Sequence, residues 1–590
     1  MERTRIVSNA DIARMLYEYA DLLEIEGANT YRVRAYRNAS STVAVMARDL
    51  AEMVHQGEDL TEIWGIGETL ADKIQEIVET GRLQVLDDLK EKLGPGIATL
   101  LQVRGLGPKR VNALYQKLGV TTLDKLEEAA QTGRIRDLRG FGEQTERTIL
   151  EDIPRVRRES QRVLWIVADG AVRPLVAYLA EDSNVEEVAA AGSYRRGQEM
   201  VGDLDLVAAS DAGGKVIRHL LEYPEVEEVL SEGETRSSLR LRSGLQVDLR
   251  VVPRESYGAA LQYLTGSKEH GVALRGRAQR QGLKVNEYGV FRDDASGGGA
   301  SVPDARIAGA TEQEVYEALG LHYIPPELRE NRGEIDAADM RGGGALPHLV
   351  TLDDIRGDLQ THTVASDGQS TLEQMARAAQ ERGYSYLAVT DHSRHIGVTN
   401  GLDPARLAEQ AEAIDRLNGR LEGFAVLKGC EVDIRDDGSL ALPDDALERL
   451  DVVIGAVHSR FELSREAQTE RIIRAMDNPH LRILGHPTGR LLGERPPYDV
   501  DVPRLIEAAR ERGVILEINA QPTRLDLDDV YAKAAKEAGV LFAISTDAHH
   551  ASQLDFMRLG VLQARRGWLE PEDVINTRSL EELRALLRRS

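Results

Sequence analysis

Apolar residues recur along this chain with two periods, and the switch between them divides it. Near the N-terminus Ile12, Met15, Leu16, Tyr19, Leu22 and Leu23 fall at helical spacing over residues 9–24, which predicts an amphipathic helix. Around 200–252 the period drops to two. Val201-Gly202-Asp203-Leu204-Asp205-Leu206-Val207 and Leu245-Gln246-Val247-Asp248-Leu249-Arg250-Val251-Val252 read as strands that carry acids among apolar residues. From 351 to about 580, short apolar runs at 387–389, 452–457, 482–484, 514–518 and 541–544 alternate with amphipathic helices. That rhythm predicts parallel βα units, and a (β/α) barrel of about seven units fits the length.

The helical first part holds an internal repeat. Leu60-Thr61-Glu62-Ile63-Trp64-Gly65-Ile66-Gly67 precedes a helix predicted over 68–79, Leu101-Gln102-Val103-Arg104-Gly105-Leu106-Gly107-Pro108-Lys109-Arg110 repeats the plan, and Leu138-Arg139-Gly140-Phe141-Gly142-Glu143 repeats it more loosely. Each Gly-x-Gly turn delivers main-chain N–H groups at a helix N-terminus, which suits a phosphate. Gly65, Gly67, Gly105 and Gly107 are therefore the candidate nucleic-acid contacts. Further on, residues 326–350 combine Pro325-Pro326, mixed charge and Gly342-Gly343-Gly344 and are expected to form a linker.

Chemistry gathers in two places. On a strand, Asp203 and Asp205 point to one face, roughly 6–7 Å apart along the backbone, a spacing that can hold two divalent cations. Just before them, Gly192-Ser193-Tyr194-Arg195-Arg196-Gly197 offers main-chain N–H groups, a hydroxyl and guanidinium groups to a polyphosphate. Asp248 sits mid-strand, a costly place for a charge without a partner. Three acids on adjacent strands beside a phosphate loop point to two-metal nucleotidyl transfer. In the second half, His362, Asp367, His392, Glu431, His458, His486, Asp547 and His549 stand at the C-terminal ends of predicted strands, where barrels place their chemistry. A mixed His/Asp/Glu multimetal site follows, and that donor set suits Mn, Zn or Fe better than Mg.

Composition narrows the setting. The 590 residues, 42% hydrophobic and 29% charged, allow several cores. No membrane span or apolar signal core is found, and the lone Cys430 excludes an intrachain disulfide framework, so the cytoplasm is expected. A net charge of −24 argues against a general basic coat on nucleic acid. Gripping phosphates through main-chain amides and metal ions reconciles that acidity with DNA binding.

The run Gly-Ser-x-Arg-Arg-Gly, then Asp203-x-Asp205 and the later Asp248, resembles the nucleotidyltransferase palm of the family X DNA polymerases. The three glycine turns resemble helix-hairpin-helix units. Tyr263-Leu264-Thr265-Gly266-Ser267-Lys268 resembles the family's Tyr-Phe-Thr-Gly-Ser segment, with Leu264 for the expected Phe and Gly271 for an asparagine. The resemblance implies Asp203, Asp205 and Asp248 as catalytic ligands of two Mg²⁺ or Mn²⁺ ions. It implies Ser193, Arg196, Gly202, Tyr263, Gly266 and Lys268 as nucleotide contacts, and Lys73 as the Schiff-base lysine of a lyase.

The second half resembles the PHP (polymerase and histidinol phosphatase) domain, which bacterial family X polymerases carry as a C-terminal fusion. It departs in opening Gln360-Thr361-His362 where the family has His-x-His. This resemblance implies up to three Mn²⁺ or Zn²⁺ ions on Gln360 and the eight residues above, and a 3′→5′ exonuclease. The expected architecture is multidomain α/β: helix-hairpin-helix units over 1–84 and 85–154, an α+β palm over 155–255, a thumb over 256–325, the 326–350 linker, and a distorted (β/α)7 PHP barrel over 351–590. Gapped or primer-template DNA and deoxynucleoside triphosphates are the expected partners, and nothing requires more than a monomer. A PHP phosphoesterase with a vestigial palm is the competing class of enzyme, and a non-catalytic DNA-binding scaffold is a third reading.

Overall fold

The computed structural model describes residues 9–44, 50–55, 57–63, 66–80, 82–94, 96–159, 162–292, 306–342, 344–394 and 400–588. Helices Asn9–Glu26 and Thr30–Ala44 open the chain, with the Tyr19 and Tyr36 rings edge to face at 4.8 Å. A single apolar core then runs from Ile12 to Val156, so the two expected helical units share one interior.

One hydrogen bond recurs at the three glycine turns. Ile66 N–H donates to Ile63 O, Leu106 N–H to Val103 O and Phe141 N–H to Leu138 O, each at 3.0 Å. Helices Glu68–Thr80, Pro108–Leu118 and Glu143–Glu159 follow directly. Gly105 and Gly140 sit at φ +83° and +90°, a region that a side chain disfavours. Gly65 lies outside the described residues.

The palm is a five-stranded mixed sheet of β1 (Glu187–Ala190), β2 (Asp203–Ala209), β3 (Val226–Glu232), β4 (Arg236–Leu241) and β5 (Gln246–Val252), in the order β1-β2-β5-β4-β3. Strand β2 runs parallel to β5, and the other pairings are antiparallel. Leu204, Leu206, Val247 and Leu249 bury against helices Trp165–Ala180 and Gly213–Leu221. The alternation of the strand then sends Asp203 and Asp205 to the opposite face. Further along that face Val207 and Ala209 are covered by Ala260 and Leu261, so it is acidic only at its open end.

Helices Tyr257–Thr265 and Lys268–Arg280 lead into the antiparallel strands β6 (Leu283–Asn286), β7 (Gly289–Arg292) and β8 (Arg306–Ala308). The stretch expected to be a linker is instead folded. Leu328, Ala338 and Leu349 share a core with Leu274 and Val315, and Arg329 is fully buried between Glu312 at 2.6 Å and the faces of Tyr316 and Tyr323. Among its described residues, Pro326 opens a short 3-10 turn and Gly333 caps the helical turn Glu334–Ala337.

The C-terminal domain is the expected seven-stranded parallel sheet, wrapped into a nearly closed barrel. Its strands are β9 (Gly357–Asp358), β10 (Tyr386–Val389), β11 (Ala425–Asp433), β12 (Val452–Ala456), β13 (Ile483–Leu484), β14 (Ile515–Asn519) and β15 (Phe542–Ser545), paired in sequence order. First and last strands meet through a parallel bridge between Thr361 and Ala548. Below it the Asn576 amide donates to Gly357 O and Ile544 O and accepts from Ile544 N–H, each at 2.8 Å. A side chain thus does the work of the missing ladder bonds. Among the described residues no helix is long and apolar enough to cross a membrane.

Candidate active sites

In the palm, Asp205 and Asp248 are register partners on β2 and β5, and Asp203 pairs with Gln246. Asp248 accepts hydrogen bonds from the Ser238 hydroxyl and from Gln246 Nε2 at 2.8 Å. Burial first, and then the charges of Asp203 and Asp248, push the Asp205 carboxyl up to about 7. Crowded carboxylates of this kind are relieved by a cation. The preceding loop packs directly on Asp205: Gly192 sits at φ +61°, and a Cβ there would lie 2.2 Å from Asp205 Oδ2, so only glycine fits.

Asp203 and Asp205 open into a cavity of about 650 Å³ that all six expected nucleotide contacts line: Ser193, Arg196, Gly202, Tyr263, Gly266 and Lys268. Leu264 and Gly271 line it too. Three residues not singled out in the sequence, Arg162, Gln246 and Arg275, join them, and Arg275 stacks over Tyr263 at 5.9 Å. The two neighbouring arginines divide their work. Arg195 clamps Glu312 with both terminal nitrogens at 2.8 and 2.7 Å, a structural bond. Arg196 lines the cavity but already gives Nε to Glu330 at 2.9 Å and Nη1 to Thr265 O at 2.6 Å.

In the barrel, Glu431 is the hub. Its Oε1 lies 2.9 Å from His486 Nε2 and 3.0 Å from His458 Nε2, and its Oε2 lies 3.4 Å from both His362 Nε2 and His392 Nδ1. His362 Nε2 also meets Asp547 Oδ1 at 3.0 Å, while Asp367 holds His392 at 3.3 Å and His549 at 3.5 Å. These atoms form three overlapping groups, each with its ligand atoms within 4.8 Å of one another: His362, Asp367, His392 and His549; His392, Glu431 and His458; and His362, Glu431 and Asp547. All eight residues expected from the sequence are thus brought together, and Gln360 joins them through a 3.0 Å bond from its Nε2 to Glu431 Oε2.

The electrostatics of this centre oppose its burial. Burial alone would raise the acids and lower the imidazoles, yet His392 and His458 outweigh it at Glu431, and His392 and His549 outweigh it at Asp367, so both carboxyls lie well below the usual range. The same acids hold His392 up at about 9 and His458 and His549 at about 10. Among the described residues, Gln360 Oε1, His362 Nδ1 and His486 Nδ1 are buried without a hydrogen-bond partner, unspent donor atoms that fit divalent metal. His486 and Asp547 adopt φ +26° and +52°, backbone strain of the kind found where ligands are aimed.

The supporting shell was not foreseen from sequence. Asp433 meets His458 Nδ1 at 2.9 Å, Glu517 accepts the His486 N–H at 2.7 Å, and Asn519 donates to Asp547 at 3.1 Å. Asp433 had a signal: it stands two residues after Glu431 on the same strand face. In the helical part, Gly105 and Gly107 line a groove with Arg104, Lys109 and Arg110, and Gly67 begins its helix by accepting Leu70 and Ala71 N–H groups at 2.9 Å. Lys73 is tied to Glu76 at 2.7 Å.

Four family models match parts of the chain. Residues 7–83 match a helix-hairpin-helix domain, 97–153 a SAM-like helix-hairpin-helix tandem, 260–330 the DNA polymerase beta thumb and 358–521 the PHP domain. The DNA polymerase/3′-5′ exonuclease PolX of Bacillus subtilis is 37% identical over 582 residues, covering 98% of this chain and 99% of that protein. The chain belongs to the bacterial family X DNA polymerases with a C-terminal PHP domain. Two more distant relatives each cover part of this family X chain. A probable phosphatase of Thermoanaerobacter is 32% identical over 37% of this chain and 89% of its own length. DNA polymerase lambda of Arabidopsis thaliana is 28% identical over 46% of this chain and 54% of its own.

Proposed function

We propose that this chain is a DNA-directed DNA polymerase that fills short gaps during DNA repair, with a 3′→5′ exonuclease in its PHP domain. One observation carries the reading: Asp203, Asp205 and Asp248 converge beside a cavity lined by Ser193, Arg196 and Lys268, while a second, independent acid and imidazole centre occupies the barrel. An extension site and a removal site in one chain suit an enzyme that edits what it adds.

Asp203, Asp205 and Asp248 would hold two divalent ions, Mg²⁺ or Mn²⁺, and Gln360 and the eight barrel residues up to three, Mn²⁺ or Zn²⁺. When bound, such ions neutralise phosphate charge and stabilise the attacking and leaving oxygens. Ser193, Gly202 and Lys268 hold the triphosphate, and Tyr263 and Gly266 bound the sugar. Asp248, steadied by Ser238 and Gln246, faces the primer 3′-hydroxyl as its base. The glycine turns hold gapped or primer-template DNA through phosphates without reading sequence, and a monomer suffices for all of this. Lys73, beside Glu76, is the candidate Schiff-base lysine of a lyase.

The test is a 5′-labelled primer in a one-nucleotide gap, incubated with Mn²⁺ and four deoxynucleotides, beside Asp205→Ala and His392→Ala variants. Extension lost only in Asp205→Ala, with shortening lost only in His392→Ala, is expected. A primer that only ever shortens, with His392→Ala stopping it, would leave a nuclease with a vestigial palm.

A further inference from the structure

The helix Met557–Arg566 belongs to the nuclease domain by its core. Met557, Val561 and Ala564 pack among the barrel's apolar residues, and at Gly560 a Cβ would lie 2.4 Å from Ile544, so the helix rests flush on the strands. Its other face carries Arg558, Leu562 and Arg566 at four-residue spacing, which aligns them in one row. That row touches the palm's Gly192–Gly197 loop directly at Gly197 and Arg196, and reaches Tyr194 through Asp169 and Trp165.

Arg558 reaches Asp169 at 2.8 Å. Asp169, almost fully buried, accepts the Tyr194 hydroxyl at 2.7 Å. The Arg558 guanidinium also covers Trp165 at 5.4 Å, and Trp165 stacks on Tyr194 at 5.0 Å while its Nε1–H donates to Tyr194 O at 2.9 Å. Leu562 abuts Gly197, where a Cβ would come within 2.6 Å of its methyl. Arg566, 3% exposed, donates to Arg196 O at 2.8 Å and reaches Glu330, the partner of the Arg196 side chain, at 3.3 Å. At the other end of the loop Gly192 touches Asp205 with no room for a methyl, so a displacement of the loop reaches Asp205 directly.

We propose that Arg558, Leu562 and Arg566 of the nuclease domain are positioning residues for nucleotidyl transfer: they fix Tyr194 and the Arg196–Gly197 main chain, and through them Ser193 and Asp205. None of the three lines the nucleotide cavity or the barrel's acid and imidazole centre. Their effect passes through the loop, which a shift well under the width of an atom can misalign. This rests on the palm being the polymerase centre.

The experiment uses the full chain on gapped DNA, with KM for the incoming deoxynucleotide and kcat measured separately, and shortening of the same primer measured without nucleotides. Arg558→Ala is expected to raise KM by roughly 10- to 100-fold, leave shortening unchanged, and be largely rescued as Arg558→Lys. Tyr194→Phe removes the hydroxyl at the far end of the same relay, and the double variant with Arg558→Ala is expected to be no worse than the weaker single. Leu562→Ala, which removes only methyl groups, is expected to raise KM with the thermal midpoint kept. Wild-type KM in both Arg558→Ala and Leu562→Ala overturns the proposal, as does a double variant whose losses simply multiply. A fall in extension and shortening together, without a change of KM, also overturns it, because that marks a general loss of folded enzyme. Absence of extension by the unaltered chain overturns the polymerase reading itself and is told apart on that ground.

Discussion

Gln360 donates its side-chain N–H to Glu431 Oε2 at 3.0 Å, and its own Oε1 is buried without a partner among the described residues. A neutral amide therefore stands beside Glu431 of the His362–Glu431–Asp547 group, where an imidazole would bind metal more tightly. Gln360→His is expected to raise retained Mn²⁺ after dialysis, and Gln360→Leu to lower it, with affinity changing by about 10- to 100-fold. Metal content by elemental analysis decides the matter. Equal content in all three proteins would show that position 360 is no ligand.

Glu431 touches four imidazoles with its two oxygens, and it stands in two of the three groups, whereas His549 stands in one. Glu431→Gln is predicted to abolish primer shortening and to cut bound metal by more than His549→Ala does. Extension from the palm should persist. Loss of extension in the same variant would contradict the independence of the two centres.

Asp205 is the palm acid raised to about 7. Asp205→Asn keeps its shape and removes the charge. Extension is expected to fall by on the order of a hundredfold or more, with shortening intact. The neutral variant should also be at least as stable as the wild type without metal, since it relieves repulsion from Asp203 and Asp248. A thermal melt in chelator checks this, and a clear drop in the midpoint speaks against the repulsion argument.

Glu312 is held down to about 2: burial would raise it, but the hydrogen bond and charge of Arg195 and the charge of Arg329 prevail. Because its folded pKa lies below the ordinary 4.5, its contribution is complete above about pH 4.5 and drains away as pH falls towards 2. Glu312→Gln leaves the buried Arg329 guanidinium and the partly exposed Arg195 guanidinium short of a counter-charge, a loss of about 3–5 kcal/mol. The expected signature is a lower melting temperature at pH 7 and a shallower acid limb than the wild type. Parallel acid limbs would remove Glu312 from the account.

Chemistry written in short spacing was legible before the fold. Asp203 and Asp205 are two apart on a strand, and the barrel ligands each end a strand, so period and position sufficed. Long-range partnerships were not legible. Arg195 answers to Glu312, Arg566 to Glu330 and Arg490 to Glu199, each more than a hundred residues away. The 326–350 stretch misled for the same reason: its prolines and glycines look like slack until Arg329 is seen locked against Glu312. Seven strands were expected from their rhythm, yet nothing local announced that Asn576 seals the seam between the first and the last.

The folded path through residues 326–350 carries a consequence for traffic between the two centres. Leu328 and Leu349 are anchored in one core, and Arg332 and Arg565 pin the neighbouring chain to Asp529 and Glu327, so the described residues of this path tie one workshop to the other. A mispaired primer end is then expected to make the journey itself, by fraying from its template or by leaving and rebinding. The choice between adding and removing a nucleotide is then timed by the looseness of the DNA terminus.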